Sequence, residues 1–215
     1  MVSLFALPAL AALLSAPAPA PLAPLASAAS AQSPAPAPRL ALQNAMRKLW
    51  EDHITWTRLY IVSAVAGLPD LDATTQRLLQ NQVDIGNAIK PFYGDAAGAR
   101  LTELLRQHIL TAAALVGAAK AGNTAEVQAA SAQWGANADS IAAFLSAANP
   151  RNWPLATMRQ AMHHHLDLTL AEAQARLRGD WNADVAAYDA IHAHILELAD
   201  VLSGGIAAQF PARVR

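Results

Sequence analysis

LQNAMRKLWEDHITWTRLYIVSAVAGLPD, residues 42–70, is the stretch that decides the fold class. No Gly or Pro breaks it before Gly67, and Leu42, Met46, Leu49, His53, Trp56 and Tyr60 recur every three or four residues. That spacing places them on one face of a helix. Gly67 and Pro69 then supply the usual C-terminal stop, so a helix is predicted from Leu42 to Ala66.

The same grammar continues downstream. A second helix is predicted from Ala73 to Lys90-Pro91, and a third after Asp95 to Gly122. Asn123 and Glu126 have the spacing of a capping box opening a fourth helix, which ends near Asn149-Pro150. Pro154 suits the first turn of a fifth, ending at Gly179. Asp180 caps a sixth, predicted to end at Gly204-Gly205. No stretch alternates like a strand, and no repeat of solenoid period is visible. The expected fold is all-α: an up-down bundle of five to six helices with a core built on four long ones. It occupies residues 41–215 as a single domain.

Upstream the composition changes. Eight of the chain's 13 prolines and no charged residue precede Arg39. The apolar run from Val2 to Leu14 is shorter than the ~20 residues that cross a bilayer. It has the length of a secretory core, and Ala29-Ser30-Ala31 has the A-x-A form of a cleavage site. The expectation is export to the periplasm or beyond: residues 1–31 a signal peptide and 32–40 a Pro/Ala-rich linker. The basic start usual for such a leader is missing.

The 215-residue chain has no cysteine and a formal charge of −1. The first excludes disulfides, thiolate metal sites and a cysteine nucleophile. The second, with no Lys/Arg cluster, argues against nucleic acid. There is no phosphate loop, dinucleotide fingerprint or nucleophile elbow.

The informative residues interrupt the apolar stripes. His53, His108, His165 and His192 fall 11 to 13 residues into their helices by this reading, or ~16–20 Å along the axis. Helices one, three and five are parallel in an up-down bundle, so His53, His108 and His165 are expected to share a level. Met158 and Met162 share the His165 face. Imidazole with thioether suits copper, and imidazole alone suits zinc; haem between two histidines is the lesser candidate. A di-iron site is excluded because no Glu-x-x-His pair occurs. Within His163-His164-His165, only His165 can face inward. Gln82, Asp84, Asn137, Tyr188 and Trp56 are the expected polar lining. Trp50, Trp134 and Trp181 are read as core or groove residues.

The segments Leu49–Arg58 (LWEDHITWTR), Asn81–Asn87 (NQVDIGN), Trp134–Asp139 (WGANAD) and Gln209-Phe210-Pro211 resemble an uncharacterised family of exported bacterial helical-bundle proteins. The resemblance spans nearly all of the chain after Arg39 and implies no catalytic residue. The expected function is an exported, non-enzymatic protein binding a metal ion or small ligand inside the bundle, with no membrane span in the mature chain. The alternatives are an interaction module whose polar seam fixes helix register, and an enzyme using His53 or His108 as general base with Asp84.

Overall fold

The computed structural model describes residues 38–215; the expected leader and cleavage site, and the expected linker up to residue 37, lie outside them. Six helices follow one another: α1 Pro38–Ala66, α2 Leu71–Tyr93, α3 Asp95–Lys120, α4 Thr124–Ala148, α5 Leu155–Arg178 and α6 Trp181–Gln209. A 3₁₀ turn, Pro211–Arg213, closes the chain. Each helix packs on its chain neighbours, and α6 returns to pack on α1, so the bundle is a closed ring. Short loops make successive helices antiparallel, so α1, α3 and α5 run one way and α2, α4 and α6 the other. All six helices contribute buried residues, and none is long and apolar enough to cross a membrane.

The sequence signals set most boundaries. Gly67, Gly94, Gly122 and Gly179 adopt positive φ at helix ends. Asn123 and Asp180 accept backbone N–H groups from Glu126 and Ala183 as caps. Two stops were read too early. Pro91 lies inside α2, which continues to Tyr93 before Gly94 ends it. Gly204-Gly205 lie inside α6, where Gly205 makes room for Trp153. A Cβ on Gly205 would sit 2.1 Å from Trp153 Nε1. Gly205 is a packing device, and the pair is not a terminus.

The ring is three helical hairpins, α1–α2, α3–α4 and α5–α6, with matching interiors. Counting from His53, His108 and His165, the third residue before is Trp50, Leu105 or Met162, and the seventh before is Met46, Leu101 or Met158. The next residue after is Ile54, Ile109 or Leu166. All nine are buried. The eighth residues after, Ile61, Val116 and Ala173, form one apolar cluster. The repeating unit is a two-helix hairpin that closes on itself, which is why no solenoid period appears.

Candidate functional site

The three equivalent histidines meet at mid-height. Ring centroids are 5.7 Å apart for His53–His165, 5.8 Å for His108–His165 and 6.5 Å for His53–His108. All three rings are buried. The hairpins place them identically: the next helix supplies a polar partner 29 residues later, Gln82 for His53 and Asn137 for His108. His194 stands at the same offset from His165, its ring stacked 6.1 Å away. In two hairpins the carbonyl four residues before the histidine is also tied across to the next helix: Asn137 Nδ2 donates to Leu104 O, and Asn81, the neighbour of Gln82, donates its Nδ2 to Leu49 O.

These bonds fix ring chemistry at one corner. Because Asn137 Nδ2 points at Leu104 O, its Oδ1 must face His108 Nδ1, 3.0 Å away. His108 Nδ1 is therefore the protonated nitrogen, and its Nε2 carries a free lone pair. Gln82 is different. Its Nε2 donates to Leu78 O and Asn81 Oδ1, so its 3.3 Å contact with His53 Nδ1 is a weak third interaction.

The layer contains several buried polar atoms with no partner among the described residues: His165 Nδ1, Gln82 Oε1, Trp50 Nε1 and Trp134 Nε1. Both indoles lie against the histidines, Trp50 on His53 at 5.7 Å and Trp134 on His108 at 5.4 Å. Such atoms cost roughly 1–3 kcal/mol each when left unsatisfied, so one layer holding four of them is a costly arrangement for structure alone.

Electrostatics keeps the rings neutral. Burial lowers His53 to about 3, with His108 adding repulsion against hydrogen bonding to Gln82 and Asn81. Burial lowers His108 to about 4, opposed by Asn137. His165 is pushed well down by burial and by the neighbouring imidazoles, His53 first. Neutral imidazole is the form that binds metal.

Three imidazole nitrogens at ~2.0–2.1 Å from a shared ion would place ring centroids about 5–5.5 Å apart. The observed spacings lie within about 1 Å of that. Among the described residues, no group of three or more His, Cys, Asp or Glu side chains is positioned to hold a metal ion without movement. Binding would require the rings to close on one another. Met162 sits one layer from the rings, ~5 Å along the axis, while Met158 is two layers off at ~10 Å. Met162 is thus the nearer thioether, and Met158 fills the core.

The remaining expected site residues lie elsewhere. His192 is at the surface, 3.1 Å from Glu51. The α6 stripe read as Val185, Tyr188, His192 and Ile195 is out of phase: its buried face is Asp184, Ile191, Ile195, Leu198 and Leu202. α6 is apolar and Ala-rich on most sides, so periodicity selects its inner face poorly. Asp84 faces Gln80 and Arg77 on the flank, which removes the proposed acid–base partner from the histidines. Trp56 is half-buried under Arg77. Tyr188 is half-buried under Arg58, with its hydroxyl 3.3 Å from Thr55. Trp181, expected in the core or a groove, is exposed and stacks on Arg176. His194 was missed, although the constant 29-residue offset from each histidine was present in the sequence.

An apolar cavity of about 80 Å³ adjoins the layer on the side of the α1, α3 and α5 C-termini, bordered by Leu78, Trp134, Thr169, Ile61, Val116 and Ala173. No known protein family, curated protein or solved structure matches the chain.

Proposed function

We propose that this is an exported, non-enzymatic metal-binding protein whose core histidines His53, His108 and His165 hold one copper or zinc ion. The observation that carries the reading is the convergence of three neutral, buried imidazoles from alternate helices, beside two atoms able to offer a lone pair, His165 Nδ1 and Gln82 Oε1, that have no partner among the described residues. Asn137 supports it by fixing the His108 tautomer and leaving Nε2 its lone pair, the role outer partners of metal-binding histidines play. Imidazole without thiolate or carboxylate suits both metals, and Met162 as a fourth donor would favour Cu(I). Haem is disfavoured, because the cavity beside the layer, about 80 Å³, has no room for a macrocycle. The export half of the proposal rests on the apolar run and the A-x-A site upstream.

A second reading is favoured by the complete His108–Asn137–Leu104 chain: the polar layer sets helix register and binds nothing. Metal content separates the two. Protein purified without an affinity tag and titrated with Cu(I) and Zn(II) should bind one ion per chain, tighter than micromolar, and His53→Ala and His165→Ala should each abolish it. Unchanged binding in both variants, or none in the wild type, would sink the metal reading.

A further inference from the structure

Two of the three hairpins hold their histidine with an amide, and the third does not. At the corner where Gln82 and Asn137 have their counterpart stands His194. Its Nε2 is buried without a partner among the described residues, as is Nδ1 of His165 beside it. An amide can only orient a ring, whereas an imidazole can itself bind a soft or borderline metal. At this corner an imidazole stands where the other two hairpins have an amide.

The imidazoles continue outward. His164, exposed on α5, meets the half-buried His194 edge-on at 4.9 Å between ring centroids. His194 stacks on His165 at 6.1 Å, and His165 lies 5.7 and 5.8 Å from His53 and His108. Five imidazoles therefore run from solvent to the centre of the bundle with no gap wider than one ring spacing. Glu197 acts on His194 from its own helix, adding negative potential at the mouth.

The other approach to the layer is the apolar cavity walled by Ile61, Val116 and Ala173. It offers a cation no donors in place of its water, and stripping hydration without replacement is prohibitive. The string of rings offers an exchange of ligand for ligand at each step.

We propose that His164 and His194 form the loading port of the core site, receiving the metal ion from solvent and passing it between α5 and α6 to His165. The inference rests on the core triad being a metal site. Each transfer is a ligand exchange: a bond from the ion to the outer ring breaks as one to the inner ring forms, with no change of oxidation state. His194→Gln restores the amide that the other two corners carry, so it preserves the fold while removing the donor.

The test is stopped-flow uptake of Co(II) and Zn(II) by the full chain, its His194→Gln and His164→Ala variants, and His165→Ala. The expected result is one ion per chain in both port variants, with affinity within about threefold of wild type and association slowed by about tenfold or more. His165→Ala should bind no ion. Wild-type uptake rates in both port variants would overturn the port and leave the core site standing. A loss in His194→Gln confined to dissociation would make His194 a permanent ligand and also overturn it. No uptake by the wild type would overturn the core site and the port together.

Discussion

The bundle contains two buried polar clusters, and they differ in a way that separates structure from function. Between α1, α5 and α6, Arg58 donates to Glu172 at 2.7 Å and forks onto Asp184 at 2.9 and 3.1 Å. Arg176 reaches the second Asp184 oxygen at 3.2 Å. Two positive and two negative groups balance, and Arg58 also lies over the Tyr188 ring at 4.8 Å. No atom of these four side chains is both buried and unpartnered. The imidazole layer is uncharged and more deeply enclosed, yet His165 Nδ1, Gln82 Oε1, Trp50 Nε1 and Trp134 Nε1 have no partner among the described residues. A satisfied network accounts for itself as a fastener between helices. An unsatisfied one is expensive unless it serves a ligand.

The largest expected effect lies in the fastener. Arg58→Met should destabilise the protein by about 3–5 kcal/mol in urea melts, because it strands Glu172 and leaves Asp184 with one partner. A loss below about 1 kcal/mol would mean that the network is screened and weak.

Acid should strike the other cluster. The three histidines have lowered folded pKa values, so their contribution is intact above the unfolded value near 6.5. It is lost as pH falls, when the unfolded chain takes up protons that the folded rings refuse. Glu172 acts in the opposite sense, since burial outweighs Arg58 and pushes it up to about 7, letting the folded state bind its proton first. Three histidines against one glutamate leave a difference of two protons. Stability should therefore fall by about 3 kcal/mol per pH unit between roughly pH 6 and 5. A flat profile there would mean that the rings are not buried neutral.

The smallest effect has the opposite sign to the first. His165→Leu removes a ring whose Nδ1 has no partner, so the metal-free protein should gain about 1 kcal/mol while losing metal binding. Destabilisation by His165→Leu would show that the layer, like the ion network, serves the fold.

The same contrast marks how far the sequence could be read. Helix ends were legible because Gly67, Gly122, Gly179, Asn123 and Asp180 act through local backbone chemistry. The level of His53, His108 and His165 was legible because parallel helices of similar length put equal offsets at equal heights. Gly205 misled because its role is set by Trp153, far away in sequence. His192 was chosen over His194 because α6 has too little polar contrast to reveal its inner face. The ion network was missed altogether: Arg58, Glu172 and Asp184 are single charges on three helices, and only the closing of α6 onto α1 unites them.

The central claim is that one ion sits among three core imidazoles, and X-ray absorption on the metal-loaded full chain tests it most directly. The account predicts three imidazole nitrogens at ~2.0–2.1 Å from the ion, a signature retained in His163→Ala and lost in His108→Ala. An ion surrounded mainly by water oxygens, or an imidazole signature lost with His163 and kept without His108, would contradict it.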